Sequence, residues 1–148
     1  MNEKKSFFID SNIIIEAFKK NGLKDAFLIW QRILDLFLEH DFFINLVVKN
    51  EVAYHLYVKR KLLSIEDLRA LLKAFKNLPI VEEIEDDMLR LMENYNLKPN
   101  DALILATCKY YQVPYLVSLD TDFEEPCKGE GITLINTPQR FEEILKTQ

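Results

Sequence analysis

Four acidic residues of this chain stand beside its most apolar segments: Asp10, Glu51, Asp101 and Asp120. An unpaired carboxylate is costly to bury, so acids that recur next to a hydrophobic core need an explanation. Carboxylates that converge also repel one another unless a proton or a cation neutralises them. Hard divalent cations bind oxygen ligands, and such a cation can activate water against a phosphodiester. The pattern therefore indicates a site for one or two hard divalent cations, such as Mg²⁺, that acts on a phosphodiester.

Each acid also has a simpler interpretation when it is taken alone. Asp10 can cap a helix, and Asp120 can belong to a turn. Asp101 opens an apolar segment, where the dipole of a helix would favour its charge. Glu51 can be a solvated helix residue bonded to His55, one helical turn further on. Together these interpretations do not explain why the acids recur beside apolar segments.

The elements that must position these acids alternate between strands and helices. Apolar runs predict five strands, at residues 7–9, 42–46, 79–84, 114–119 and 132–135. Helical spacing, capping residues and chain breakers also predict the helices. Some have predicted bounds, at residues 12–20, 24–39, 47–59 and 86–95. Others are given by their start, which is after Ser64, at Asp101, and after Thr137 with Pro138 in the first turn. Alternating strands and helices form a mostly parallel sheet that is covered on both faces. The sequence thus predicts a three-layer α/β/α sandwich around a five-stranded sheet, as a single domain over residues 1–148.

This arrangement brings the acids to one edge of the sheet. Asp10 ends the first predicted strand and Asp120 ends the fourth, and parallel sheets bind ligands outside the carboxyl ends of their strands. Glu51 lies just after the second strand, and Asp101 begins a helix. We expect the three aspartates to bind the metal directly and Glu51 to complete the shell or orient a water. Asn12 would position Asp10 or a water.

Composition excludes several other classes of protein. The chain has 148 residues, 49% of them apolar, and a net charge of −5, which argues against a simple basic nucleic-acid binder. Its two cysteines and two histidines lack the spacing of a zinc site. No apolar stretch approaches the roughly 20 residues of a membrane span, and the apolar run near the N-terminus is too short for a signal peptide. We expect a cytoplasmic protein without a membrane segment.

Three segments resemble the motifs of PIN-domain ribonucleases, which include the VapC-type toxins of bacteria and archaea. In chain order they are FFIDSNIII, VVKNEVAYHL and LKPNDALILATCKYYQVPYLVSLDTDF. The last segment is the most specific, because it joins an aspartate and a small apolar helix to a strand that ends in Ser-x-Asp-x-Asp-Phe. Residues 64–95 contain no motif that matches the family, so substrate choice in that region stays open.

The resemblance implies RNA cleavage that depends on Mg²⁺ or Mn²⁺, often by a homodimer, with an antitoxin protein as partner if the chain is a toxin. It assigns the acidic site to Asp10, Glu51, Asp101 and Asp120, and it assigns supporting polar roles to Asn12, Ser118 and Asp122. Candidates for contacting the RNA backbone are Lys49, Lys59, Arg60 and Lys61. The alternative for the basic run at residues 59–61 is a solvated helix end.

Other functions compete with a nuclease. A PIN-like module could bind RNA or a protein partner without catalysis, and a metal titration would distinguish it, because such a scaffold need not bind Mn²⁺. Phosphatases that form an aspartyl-phosphate carry Asp-x-Asp after the first strand, but position 12 is Asn. Phospho-accepting receiver domains usually show paired acids at this place, whereas Ile9 precedes Asp10.

Overall fold

One parallel sheet forms the centre of the computed structural model, which describes residues 3–147. Its strands are β1 (Ser6–Ile9), β2 (Asp41–Ile44), β3 (Lys76–Asn77), β4 (Tyr115–Val117) and β5 (Thr133–Ile135). Their order across the sheet is β3-β2-β1-β4-β5, and every neighbouring pair is parallel. The predicted five-stranded α/β architecture is therefore confirmed.

Helices connect all of these strands. They are α1 (Ser11–Phe18), α2 (Lys24–Asp35), α3 (Leu46–Ala53), a π-helix (Tyr54–Lys59), α4 (Ile65–Ala74), α5 (Glu82–Tyr95), α6 (Pro99–Tyr110), a 3₁₀ turn (Thr121–Phe123), α7 (Glu124–Glu130) and α8 (Pro138–Lys146). The chain moves outward from β1 to β3 and then returns to β4 on the other side of β1. Right-handed crossovers then place α1 to α4 on one face of the sheet and α5 to α7 on the other, as in a three-layer sandwich. The last helix, α8, packs against α2.

The strands are apolar because both faces of the sheet are covered. Phe7, Phe8 and Ile9 of β1 are fully buried. The Phe7 ring stacks on Phe42 of β2 and on Tyr115 of β4, with ring centroids 5.4 and 5.3 Å apart. Aromatic contacts of this kind bury large areas and fix the neighbouring strands in register. None of the helices within residues 3–147 is long and apolar enough to cross a membrane.

The centre of the sheet is also where the strand connections change direction. Strand β1 lies between β2 and β4, and Ile9 is paired with Val117 at their carboxyl ends. A crevice opens at such a switch point, because the connections that leave the two strands run to opposite sides. Asp10 directly follows β1, and Ser118 directly follows β4. The fold therefore places both residues at the crevice.

The predicted third strand at residues 79–84 is wrong. Strand β3 is shorter and earlier, at Lys76–Asn77, and α5 already begins at Glu82. Pro79 has no N–H for a strand ladder, so the chain leaves the sheet there. The apolar Ile84 is fully buried from α5 rather than from a strand.

Several helix boundaries also differ from the prediction. The helix predicted at residues 47–59 is an α-helix only to Ala53 and continues as a π-helix. The first two helices end at Phe18 and Asp35, before their predicted ends. The short helix α7 was not predicted, because its charged sequence shows no apolar periodicity.

The predicted caps of two helices are confirmed. Ser64 Oγ accepts a hydrogen bond from the Asp67 amide at 3.1 Å at the start of α4. Thr137 Oγ1 accepts one from the Arg140 amide at 3.0 Å at the start of α8. Each oxygen satisfies an amide that has no partner inside its helix.

Candidate active site

The four predicted acids lie around one cavity at the carboxyl ends of β1 and β4. The cavity has a volume of about 250 Å³ and is lined by Asp10, Ser11, Asn12, Ile15, Glu16, Glu51, His55, Arg60, Asp101 and Asp120. A second opening of about 420 Å³ shares three of the acids, Glu51, Asp101 and Asp120. Residues far apart in the chain thus form a single acidic crevice at the switch point of the sheet.

Asp10 is both a helix cap and a buried acid of the crevice. Its Oδ1 accepts a hydrogen bond of 2.7 Å from the Ser11 amide at the start of α1, and its Oδ2 accepts one of 2.7 Å from Ser118 Oγ. The residue is only 4% exposed. Burial raises the pKa of Asp10 to about 6, and the nearby charges of Glu51 and Asp120 add to the rise, although the two hydrogen bonds oppose it. The capping interpretation is therefore correct, but the fold holds this carboxylate at an energetic cost.

Glu51 reaches the crevice from α3 and is linked to Asp10 through Ser11. The Ser11 hydroxyl lies 3.2 Å from Glu51 Oε1 and 3.4 Å from Asp10 Oδ1. Partial burial raises the pKa of Glu51, and the charge of Asp101 adds to the rise, while the Ser11 hydroxyl opposes it. Ser11 was not among the predicted site residues, although its position next to Asp10 was visible in the sequence. The simpler alternative, a solvated Glu51 bonded to His55, does not hold among the described residues, because Glu51 is partly buried and bonds to Ser11.

Three aspartates form the tightest group in the crevice. Carboxylate oxygens of Asp101, Asp120 and Asp122 all lie within 4.8 Å of one another. Burial raises the pKa of Asp101 to about 6, with further contributions from the charges of Asp120 and Asp10. Asp120 Oδ1 accepts a hydrogen bond of 2.9 Å from the Asp122 amide, so it also caps the 3₁₀ turn. The family resemblance assigned only a supporting role to Asp122, yet one of its carboxylate oxygens lies within 4.8 Å of those of Asp101 and Asp120.

Asn12 and Ser118 tie the two halves of the crevice together. Asn12 Nδ2 donates to Ser118 Oγ at 3.2 Å, and Asn12 Oδ1 accepts from the Leu119 amide at 3.2 Å. Ser118 is fully buried; its hydroxyl accepts from the Asp120 amide at 3.1 Å and donates to Asp10. Asn12 therefore acts on Asp10 through Ser118. The network joins the start of α1 to the end of β4.

The donor groups in the crevice fit a hard divalent cation. Every group in the tight cluster is a carboxylate, and oxygen ligands of this kind suit Mg²⁺ and Mn²⁺. Burial and the neighbouring carboxylates raise the pKa values of Asp10 and Asp101, and Lys98 only partly opposes the rise at Asp101, so holding these charges is costly. A bound cation would favour the ionised form of each acid and remove this cost.

The structure brings one of the four predicted basic residues into the crevice. Arg60 lines the acidic cavity, whereas Lys59 and Lys61 are exposed beside it and are not among its lining residues. Lys49 lines a different cavity, of about 320 Å³, over the apolar face of α4 near Leu68.

His55 is a residue of the crevice that the sequence interpretation did not assign to the site. Its Nδ1 lies 2.8 Å from Nη1 of Arg60. Partial burial lowers the pKa of His55, and the charges of Arg60 and Lys59 lower it further. In the sequence, the only indication that His55 belongs to the crevice was its position one helical turn after Glu51.

Comparison with known proteins shows the family to which the chain belongs. The chain matches the model of the PIN domain over residues 7–129. It belongs to the PIN-domain family. It is 32% identical over 139 residues to Ribonuclease VapC2 of Methanocaldococcus jannaschii, an alignment that covers 84% of this chain and 90% of that protein. The resemblance read from the three sequence segments is thereby confirmed.

Solved structures share the fold of this PIN domain. A toxin–antitoxin complex from Klebsiella pneumoniae contains a chain with a TM-score of 0.66 and 25% identity; the match covers 88% of this chain and 96% of that one. The VapBC2 complex from Rickettsia felis, bound to a DNA fragment from its promoter, has a TM-score of 0.65 and 18% identity, with 87% and 96% covered. The matches extend over nearly the whole of each neighbouring chain.

Proposed function

We propose that this PIN-domain protein is a metal-dependent endoribonuclease and the toxin of a toxin–antitoxin pair. One observation carries the proposal: Asp10, Glu51, Asp101 and Asp120 line a single cavity. The relative that is 32% identical over most of both chains is a ribonuclease by name, which supports RNA as the substrate. An acidic crevice that takes a divalent cation can accept an anionic substrate that it would otherwise repel.

The residues of the crevice have separate tasks in this proposal. Asp101 and Asp120 would hold Mg²⁺ or Mn²⁺ together with Asp122 or Asp10. The bound cation would lower the pKa of a water and neutralise charge that develops on the phosphate. Glu51 would orient a water or hold a proton at its carboxylate, since its raised pKa brings it closer to neutral pH. Ser118, held by Asn12, keeps Asp10 directed at the crevice.

The basic residues would contact the RNA backbone unequally. Arg60 lies at the acidic cavity and is the first candidate for a phosphate contact. Lys59 and Lys61 are exposed beside it and would add long-range attraction. Lys49 lies away from the acids, so it would contact only a longer RNA.

We also propose an antitoxin partner and a homodimeric state. The Klebsiella pneumoniae neighbour comes from a toxin–antitoxin complex, which supports the antitoxin. Phe27 and Leu34 on α2 and Leu23 at its N-cap are 46%, 48% and 56% exposed, and helical spacing places them on one side, so this face has apolar surface for a protein contact. Co-expression with the product of a neighbouring short reading frame should suppress cleavage if that product is the antitoxin. Sedimentation of the purified chain would give its oligomeric state.

The nuclease is tested by incubating single-stranded and structured RNA with the protein in EDTA or in Mn²⁺. We expect cleavage only with Mn²⁺, and we expect Asp101→Asn to abolish it. Asp67→Asn is the matched control, because Asp67 is the third residue of α4 just as Asp101 is the third residue of α6. Equal cleavage in EDTA and in Mn²⁺ would refute the metal dependence. RNA that is bound but never cut would favour the non-catalytic module instead.

A further inference from the structure

The π-helix after α3 brings two side chains to the acidic cavity that an α-helix would separate. In an α-helix, residues five positions apart point about 140° away from each other. A π-helix bonds each residue to the fifth one along, so such residues lie on the same side of the helix. The Arg60 amide donates to the His55 carbonyl at 3.2 Å, and both side chains line the cavity. Lys61, with φ of 52°, ends the helical backbone directly afterwards.

The side chains of these two residues are in direct contact. Arg60 Nη1 lies 2.8 Å from His55 Nδ1. A guanidinium can only donate, so the imidazole nitrogen must accept, and the ring proton must then sit on Nε2. The lowered pKa of His55 agrees with a neutral ring that can accept this bond. The contact restrains a long side chain that would otherwise sample many rotamers.

The charge of Arg60 has no carboxylate partner in the part of the chain from residue 3 to residue 147, although acids surround it. Arg32, Arg90 and Arg140 each form an ion pair with a glutamate. The planar fork of an arginine matches two oxygens of a phosphate. A restrained guanidinium without an ion pair, at the edge of a cavity for a phosphodiester, is available for that role.

We propose that His55 is a positioning residue that directs the Arg60 guanidinium toward a phosphate of the RNA strand in the acidic cavity. The inference rests on the proposed function, because it takes RNA as the ligand. It extends that function by assigning a role to His55, which makes no phosphate contact itself. It also assigns a role to the π-helix, which brings His55 and Arg60 together. The inference also separates Arg60 from its neighbours Lys59 and Lys61, whose charges are similar.

The test is a double-mutant cycle on RNA affinity, measured with a short single-stranded RNA and with Ca²⁺ in place of Mn²⁺. Arg60→Ala should weaken binding about tenfold or more, the usual range for a charge-assisted hydrogen bond. His55→Leu should lose most of the same affinity, and the double variant should bind no more weakly than Arg60→Ala alone. Arg60→Lys should recover only part of the loss, since lysine lacks the planar fork.

Two conservative variants separate positioning from a general structural role. His55→Asn keeps an acceptor near the position of Nδ1 and should retain affinity for the RNA. His55→Gln moves the acceptor toward the position of Nε2 and should lose affinity as His55→Leu does. Arg140→Ala, which removes an arginine paired with Glu143 on α8, is the charge-matched control and should bind as the wild type does. Melting curves would show that each variant is folded.

The outcomes distinguish this inference from the proposed nuclease. The positioning role is wrong if Arg60→Ala binds RNA as tightly as Arg140→Ala does. It is also wrong if the affinity losses of His55→Leu and Arg60→Ala multiply in the double variant. Either result would hold even if the protein cleaves RNA. If the cycle shows coupling but Mn²⁺ supports no cleavage, the nuclease is wrong and the RNA contact stands. A wild-type protein that binds no RNA would refute both.

Discussion

Replacing Asp101 by Asn removes one negative charge from the acidic crevice and leaves its shape nearly unchanged. The pKa of Asp101 is raised by burial and by the charges of Asp120 and Asp10, with Lys98 opposing the rise. The substitution therefore isolates the cost of holding that charge. If Asp101 merely interacts with the dipole of α6, the same substitution should destabilise the protein by about 0.3–1 kcal/mol.

The magnitude follows from the pKa of Asp101, which rises from an ordinary 3.8 to about 6. At about 1.4 kcal/mol per pKa unit, this rise is equivalent to roughly 3 kcal/mol of destabilisation when the group is fully charged. Asp101 is only half-buried, so solvent screening reduces the figure to about 1–2 kcal/mol. The relief of this cost should exceed the lost dipole interaction. The metal-free variant should therefore unfold at or above the wild-type temperature at pH 8.

The pH dependence has a definite sign. Because the pKa of Asp101 is higher in the folded state, the folded protein binds more protons than the unfolded chain between pH 3.8 and about 6. The stability of the wild type relative to Asp101→Asn should fall as the pH rises through this window. Below pH 3.8 neither protein carries the charge, so the two should have equal stability. The advantage of Asp101→Asn should appear as the pH rises toward 7.

Urea unfolding in EDTA at pH 3.5 and pH 8 measures this difference, and melting curves with saturating Mn²⁺ measure the effect of metal. A ligand at a hundred times its dissociation constant stabilises the folded state by about 2.7 kcal/mol. Wild type should show a gain of this order, and Asp101→Asn should lose most of it. Asp67→Asn, the control at the equivalent position of α4, should lose a little stability and leave the metal response unchanged.

One result would refute this reasoning. If Asp101→Asn is destabilised in EDTA to the same extent as Asp67→Asn and still keeps the full stabilisation by Mn²⁺, Asp101 only favours its helix. The metal site would then lie elsewhere.

Two further substitutions test the surroundings of the crevice and the packing of the helices. Ser118→Ala removes a buried hydroxyl that donates to Asp10, so it should cost about 1–3 kcal/mol in urea unfolding, and an unchanged midpoint would contradict the network. Glu130 accepts from Arg90 and Lys109, and these bonds hold its pKa at about 2, below an ordinary 4.5. The stabilisation by ionised Glu130 should be present above pH 4.5 and be lost as the pH falls toward 2. In urea unfolding, Glu130→Gln should therefore lower the free energy of unfolding by about 1–2 kcal/mol at pH 7, after discounting for solvent screening, and by almost nothing near pH 2.

The strands that carry the site could be predicted, and the strand at the edge could not. Strands β1 and β4 are buried in the middle of the sheet, so their sequences are continuously apolar. Strand β3 has two exposed polar residues, Lys76 and Asn77, and pairs only with β2. Its pairing depends on backbone hydrogen bonds, which leave no pattern in the side chains. The nearby apolar run was therefore mistaken for the strand.

The convergence of the acids was predictable because parallel strands share one carboxyl edge. The contacts between side chains within the crevice were harder to predict from the sequence. The helix predicted at residues 47–59 would have separated His55 from Arg60, and only the π-helix brings them together. Apolar periodicity at 3.6 residues per turn does not reveal such a change of pitch. Ser11 was visible as a neighbour of Asp10, but its contact with Glu51 depends on how α1 packs against α3.

Helix capping and metal binding, which looked like competing explanations for the aspartates, are compatible in this fold. Asp10 and Asp120 each accept a hydrogen bond from a backbone amide just after a strand ends. The amide fixes the rotamer of the carboxylate and holds it at the carboxyl edge of the sheet. Caps of this kind would preorganise metal ligands before the cation binds, so less conformational entropy is lost on binding. The pKa of Asp10 stays raised despite two hydrogen bonds, which means that keeping this buried carboxylate ionised costs free energy. A bound cation would remove that cost.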